Sequence, residues 1–307
     1  TVVSILGTLA AGGCFVIINP TIKEDKIVHL LAHSGARFLI TEQSRQALLE
    51  DCCSRVPSPP VMMYTGKSAP AAKSFDDIIS LQSDTVVSDP IDMDPAAIIY
   101  TSGSTGEPKG VTLTHRNIVS ATNSIAQYME NRPDDVILNL LPLSHGYGLC
   151  QLFVSMLVGC TLVLEKGFGY PYQIIKRIKD EKVTGFPCVP TIMALLLQLE
   201  NLESEDFSSV RYLSNAAAAL PPSFIPRLQR VFPNARIFAM YGQTECLRIC
   251  YLPPELINQK PTSVGIAIPN SEIWLVDDHG RPVPKGEIGE LVFRGSNVML
   301  GYWQDEE

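Results

Sequence analysis

Tyr100-Thr101-Ser102-Gly103-Ser104-Thr105-Gly106-Glu107-Pro108-Lys109-Gly110 is the stretch on which the reading of this chain turns. It follows the apolar run Ala96-Ala97-Ile98-Ile99-Tyr100, which predicts a buried strand, and leads into Val111-Thr112-Leu113 and a helix capped by Thr114. Residues 101–110 hold three glycines, four hydroxyls and one lysine. Glycine admits positive φ and lets amide N–H groups approach a ligand closely. Hydroxyls donate to phosphate oxygens or ligate magnesium, and lysine adds a compact cation. A polyphosphate suits such a set. The same residue types are also ordinary turn formers, so a Ser/Gly-rich surface turn is the plain alternative. A second alternative is the P-loop of NTPases, which needs Gly, four residues, then Gly-Lys-Ser/Thr. Counted from Gly103, Lys109 falls where that lysine belongs, but Pro108 replaces the glycine, Gly110 replaces the hydroxyl, and a strand is expected to follow instead of a helix.

The rest of the composition bounds the class. With 307 residues, 46% hydrophobic and 18% charged, the chain has apolar surface for one large globular unit or two to three packed subdomains. A net charge of -8 argues against nucleic acid as a partner, because its binders carry a basic face. The eight cysteines show no zinc-ribbon spacing, and reduced thiols in a cytoplasmic protein are expected. Residues 1–22 and 136–164 are poor in charge, yet Gly12-Gly13 interrupts the first and Pro142, Ser144, Gly146 and Gly148 the second, so neither is read as a transmembrane span. The chain opens on Thr1 without methionine, and no targeting segment is assigned.

Short aliphatic runs alternate with helical patterns. Strands are expected at 37–40, 96–100, 136–140, 161–164, 210–213 and 236–239, and helices at 117–130, 172–181, 191–201 and 222–231. Alternation of this kind implies crossover units and an α/β fold of layered subdomains with mainly parallel sheets. Residues 56–72, rich in Pro, Ser and Ala, read as a surface connection. From Ser271 the texture changes to a hairpin-like tail turning at Asp277-Asp278-His279-Gly280. The expected layout is an α/β core of two packed subdomains over 1–270 and the start of a small antiparallel β subdomain over 271–307.

The string from Tyr100 to Val111 resembles the signature phosphate loop of the adenylate-forming superfamily, which includes acyl- and aryl-CoA ligases, luciferases and nonribosomal adenylation domains. Other stretches resemble the same superfamily in chain order and cover nearly the whole sequence. They are Leu9 to Gly13 with Asn19-Pro20; Leu141-Pro142-Leu143-Ser144-His145-Gly146-Tyr147-Gly148; Ser214 to Leu220; Tyr241-Gly242-Gln243-Thr244-Glu245; and Gly289-Glu290-Leu291 with Gly301-Tyr302-Trp303. The fold implied is an acyl-CoA synthetase-like N-terminal domain. The implied activity joins a carboxylic acid to ATP with release of pyrophosphate and then passes the acyl group to coenzyme A; the alternatives are an adenylation domain that loads an acyl or amino acid onto the phosphopantetheine of a carrier protein, and a noncatalytic nucleotide-binding relative.

The resemblance also implies roles. Thr101, Ser102, Ser104, Thr105 and Lys109, with Gly103 and Gly106, would hold the triphosphate. Thr105 and Glu245 would bind Mg2+, and Lys109, Thr105 and Glu245 carry the catalytic expectation. Tyr241 would stack on adenine beside Ala217 and Ala218, with Gly242, Gln243 and Thr244 completing the nucleotide contacts. Ala216 to Ala219 stand where the family often has glycines and a proline, which puts backbone conformations needing glycine in doubt. Ser144, His145, Gly146, Tyr147, Gln151 and Asn215, with Gln243, are expected at the acid pocket. Amino-acid-activating relatives carry an aspartate after the pocket motif to hold the substrate ammonium, and residues 144–156 contain no acid, so a fatty or aryl acid with a neutral tail is expected. The family's ribose-binding aspartate and its adenylation lysine, the latter in a mobile C-terminal domain, would lie beyond Glu307. The chain therefore reads as an N-terminal part that binds nucleotide with weak turnover.

Overall fold

In the sequence order of its strands the chain follows the expected alternation, and the computed structural model, which describes residues 1–66, 73–80, 88–102 and 108–305, shows how they pair. Two compact units result. One comprises Thr1–His115 with Met299–Glu307, the other Arg116–Val298.

The first unit holds a mixed four-stranded sheet in the order Phe15–Val16, Pro95–Ser102, Pro108–Thr114 and Gly301–Tyr302. The first two strands are parallel, whereas Pro108–Thr114 runs antiparallel to both its neighbours. Ala96, Ala97, Val111 and Leu113 are fully buried, so this hairpin is anchored by the apolar residues that predicted it. A second, parallel sheet joins Phe38–Glu42, Val61–Thr65 and Lys73–Ser74. The surface connection expected over 56–72 thus contains a strand. Pro59-Pro60 masks the onset of Val61-Met62-Met63-Tyr64, whose Tyr64 is buried. Helices Glu24–Ser34 and Gln46–Ser54 pack against each other through Ile27, Leu31, Leu49, Cys52 and Cys53.

The second unit is built on a seven-stranded sheet, ordered Ile266–Ala267, Cys250–Leu252, Arg236–Tyr241, Tyr212–Asn215, Gly185–Cys188, Val136–Asn139 and Thr161–Leu164. From Arg236–Tyr241 onward every pairing is parallel, as the alternating pattern requires, and the first two strands are antiparallel additions. Gly185–Cys188 was not foreseen, because Gly-Phe-Pro-Cys carries two strand-poor residues. All four are buried, and a Cβ on Gly185 would lie 2.2 Å from the Tyr212 hydroxyl, so only glycine fits. Helix Pro171–Asp180 buries Ile174, Ile175 and Ile178, starts with proline in its first turn and ends with Arg177 and Lys179, which complement its dipole. These isoleucines join Phe186, Leu213, Leu228 and Ile237 in the main core.

An ion pair with a buried carboxylate braces this sheet. Asp135, 2% exposed, accepts from Arg211 Nη2 at 2.7 Å, Thr184 Oγ1 at 2.8 Å and the Arg132 N–H at 2.8 Å. The expected antiparallel tail is present as Ser271–Val276 paired with Glu290–Gly295, with Asp277 Oδ1 accepting from the N–H groups of His279 and Arg281 in the turn. Among the described residues no helix is long and apolar enough to cross a membrane.

Candidate functional site

In the first unit, strand register places Tyr100 opposite Gly110, Thr101 opposite Lys109 and Ser102 opposite Pro108. The Ser/Gly sequence therefore lies between two antiparallel strands, whereas a P-loop stands between a strand and a helix. Gly103, Ser104, Thr105 and Gly106, and the side chain of Ser102, lie outside the described residues. A Cβ on Gly110 would sit 2.9 Å from Ile98, 3.2 Å from Trp303 and 3.3 Å from the Tyr100 ring, which explains the glycine by packing.

Lys109 is the described cation of this hairpin. Its Nζ lies 3.3 Å from Asp305 and 4.8 Å from the centre of the Tyr302 ring, with the side chain 42% exposed. Nearby, His33 Nδ1 and the Tyr100 hydroxyl are 2.8 Å apart, and Trp303 Nε1 donates to the His33 carbonyl at 3.1 Å. A cavity of about 200 Å³ is lined by His29, His33, Lys109, Tyr302, Trp303 and Asp305. Burial raises the Tyr100 phenol to about 12. Burial and the neighbouring His29 lower His33, against the opposing pull of Asp305.

The second unit gathers the other predicted residues at one edge of its sheet. Val136–Asn139, Tyr212–Asn215 and Arg236–Tyr241 all run parallel, so the segments that follow them emerge at the same C-terminal edge, the usual place for ligands in such sheets. These segments carry Ser144 to Tyr147, Ala216 to Ala219, and Gly242 to Glu245. Helix Gly146–Val158 begins there, and Gly148 is required because a Cβ would stand 2.4 Å from the Pro142 carbonyl. The Tyr147 hydroxyl donates to the Ser214 carbonyl at 2.8 Å and lies 2.8 Å from Ser214 Oγ; Gln151 Nε2 donates to the Tyr147 carbonyl at 3.3 Å. Asn215 Nδ2 donates to the Ala218 carbonyl at 2.9 Å, while Asn215 Oδ1 and Ser144 Oγ are buried without a hydrogen-bond partner. His145 is exposed. Ala217 has φ 70, so alanine occupies the left-handed region that the family's glycine would reach without strain.

Residues 242–249 form the loop between Arg236–Tyr241 and Cys250–Leu252, where Tyr241 opposes Cys250. The loop is closed by the Ile249 N–H donating to Tyr241 at 3.0 Å. Buried Asn297 clamps it from another segment, with Nδ2 donating to the carbonyls of Cys246 at 2.6 Å and Arg248 at 2.9 Å. Gly242 allows the fold-back, since a Cβ there would be 2.9 Å from Arg248 Cα. Gln243 is exposed and donates to the Tyr241 hydroxyl at 3.3 Å, and Thr244 and Glu245 are half-buried. A magnesium ion bound to a nucleotide needs only one or two protein oxygens besides phosphate, and the Glu245 carboxylate is a donor of that type. Sequence reasoning missed Asn297 and Arg248. Arg248 had a signal, being the lone charge within the apolar run Cys246 to Leu252.

The class is fixed by the whole sequence: residues 1–303 match the AMP-binding enzyme family, and the chain belongs to it. Among individual proteins, it is 29% identical over 99% of its length to 4-coumarate--CoA ligase 5 of Oryza sativa subsp. japonica, of which it covers 58%. It is 26% identical over 98% of its length to the D-alanine--D-alanyl carrier protein ligase of Bacillus velezensis, again covering 58%. The structure of VinN in complex with L-aspartate matches 99% of the chain at a TM-score of 0.84 and 30% identity, with 74% of VinN covered. The chain thus spans a little over half the length of these curated relatives.

Proposed function

We propose that this protein activates a carboxylic acid with ATP and then forms a thioester, with coenzyme A as the acceptor. A carboxylate oxygen attacks the α-phosphorus, the bond to pyrophosphate breaks, and an acyl-adenylate results. A thiol then attacks the acyl carbon and AMP leaves. The observation that carries this reading is the clustering of Ser144 to Tyr147, Asn215 to Ala218 and Tyr241 to Glu245 at one C-terminal sheet edge, in a chain whose hairpin tip has the phosphate-loop sequence.

The first step brings two anions together, so the chain's task is to hold them and offset their charge. Lys109, Thr101, Ser102, Ser104 and Thr105 are assigned to the triphosphate, with Gly103 and Gly106 giving backbone access. Lys109 already faces a carboxylate, and exchanging Asp305 for a phosphate oxygen keeps its charge compensated. Tyr241, Gly242, Gln243 and Thr244 are assigned to the nucleoside end with Ala217 and Ala218, whose exposed methyls leave room for a flat base. Thr105 and Glu245 would hold Mg2+, which when bound neutralises phosphate charge. Ser144, His145, Gly146, Tyr147, Gln151 and Asn215 are assigned to the acid.

A second reading has a carrier-protein phosphopantetheine as acceptor, and similarity to a D-alanyl carrier protein ligase favours it. L-aspartate in VinN is an amino acid, but residues 144–156 here offer no acid to hold an ammonium group. ATP–pyrophosphate exchange by the full protein across a panel of acids tests the activation step: acid-dependent exchange with AMP as product is expected, and silence with every acid or release of ADP would overturn it. Adding coenzyme A or a phosphopantetheinylated carrier then separates the acceptors.

A further inference from the structure

Arg248 is the largest of the fully buried side chains, 1% exposed. Among the described residues no carboxylate pairs with it, and its Nε and Nη2 lack any hydrogen-bond acceptor. The ionisable groups closest to it electrically are Tyr128, Cys150, Tyr147 and Cys246. Burial raises all four, Tyr128 to about 12 and Cys246 to about 11, so none supplies an anion near neutral pH. A buried guanidinium without a counter-charge is among the costliest features a fold can carry, and one is retained where a ligand completes it.

The surroundings say which ligand. The guanidinium lies over the Tyr147 ring, 5.1 Å from its centre, and the Tyr147 hydroxyl is bound to Ser214. On the segments flanking this contact, Ser144 Oγ and Asn215 Oδ1 are the other buried polar atoms without partners. Two of the residues assigned to the acid, Ser144 and Asn215, thus carry an unsatisfied polar atom on these segments. Nε and Nη2 form one edge of the guanidinium, the edge that takes both oxygens of a carboxylate in a bidentate pair. The reacting carboxylate is a poor candidate for that edge, because it loses its charge on becoming an adenylate and tight pairing would favour the ground state. A second carboxylate keeps its charge throughout. The Arg248 side chain is 1% exposed, and Asn297 and the closed loop hold its backbone in place.

We infer that Arg248 anchors a second acidic group on the substrate, so that the acid activated is a dicarboxylate held by one carboxylate on Nε and Nη2 while the other reacts. This rests on the activation chemistry proposed above and replaces the neutral tail expected from sequence: the missing aspartate excludes an ammonium, not an anion.

The test uses the full protein and acids matched in length: succinate against butyrate, glutarate against pentanoate, 4-carboxybenzoate against benzoate. In ATP–pyrophosphate exchange at least one diacid should exceed its monoacid partner roughly 100-fold in kcat/KM. Arg248→Met should abolish that preference, and Arg248→Lys, which keeps charge without the fork, should restore only part of it. A binding readout runs beside it: the diacid should raise the melting temperature of the wild type and not of Arg248→Met, whose unliganded melting temperature should equal or exceed the wild type because a buried charge is removed and no ion pair is broken. Equal use of monoacids and diacids, a preference that survives in Arg248→Met, or a marked loss of unliganded stability in that variant would overturn the inference. Silence in exchange with every acid would defeat the activation chemistry instead. The diacid-dependent melting shift would then decide the role of Arg248: its loss in Arg248→Met upholds the anchor, and its absence from the wild type overturns it.

Discussion

Lys109 stands on the hairpin of one unit with its ammonium 42% exposed, Asp305 at 3.3 Å and an aromatic face at 4.8 Å. Arg248, in the other unit, is buried with two donors unsatisfied. Water can cover the first cation between partners, so trading one anion for another there costs little. The second has no such reservoir, and its ligand must bring the whole compensation. A mobile, interchangeable contact suits a polyphosphate that arrives, reacts and leaves, and a fixed fork suits discrimination between acids. Arg211 offers a third case: a half-buried guanidinium that has its buried carboxylate, Asp135, built into the chain.

The sharpest way to break this comparison is to make Arg211 resemble Arg248. Asp135→Asn should cost about 3 kcal/mol in urea unfolding, because it removes the buried carboxylate that compensates the half-buried Arg211. A loss below about 1 kcal/mol would show that this fold tolerates a guanidinium without its counter-charge, and would weaken the case for Arg248. The pH dependence has a definite sign. Burial pushes the Asp135 carboxyl up, but hydrogen bonds from Arg211, the Arg132 N–H and Thr184 outweigh it and hold it below its ordinary value near 3.8. A lowered folded-state value means the stabilisation is present above pH 3.8 and lost as pH falls through the lower folded value. Acid titration of stability should show that step in the wild type and not in Asp135→Asn.

Next in size is Lys109→Met. Loss of a phosphate-stabilising cation should lower exchange by roughly 100- to 1000-fold, while the melting temperature, set by an exposed side chain, should stay within about 2 °C of the wild type. Equal losses in both measurements would mean that Lys109 is structural. Ala217→Gly should stabilise by about 0.5–1 kcal/mol, since glycine takes φ 70 without strain. No change would show the turn relaxed around its alanine. Smallest of all, Asp305→Asn should shift stability by less than about 1 kcal/mol, as expected for a half-exposed pair.

Local pattern made much of this legible in advance. The strands before and after the glycine-rich stretch followed from the apolar run on each side, and the parallel sheet from strands alternating with helices, whereas the antiparallel pairing of Pro95–Ser102 with Pro108–Thr114 is seen only in the structure. Thr161–Leu164 fell where its β-branched and aliphatic residues put it, whereas Tyr212–Asn215 begins two residues beyond the expected start because the buried pairing with Gly185–Cys188, itself hidden behind Gly and Pro, fixes the register. Asn297 and Arg248 escaped for a different reason. Their roles come from contacts between segments distant in sequence, 49 to 51 residues apart for the clamp, and no periodicity encodes such a contact. The alanine turn was read correctly as small, but only the backbone shows that Ala217 bears the conformation a glycine would prefer.

The fold-back at Gly242 has a consequence for how such proteins diverge. Eight residues carry Glu245 on one side and Arg248 on the other, joined by Leu247 in a left-handed conformation and held by main-chain bonds that ignore side-chain identity. On the roles proposed above, a single codon at 248 would change which acids are accepted while the fold-back at Gly242 and the Asn297 clamp stay as they are.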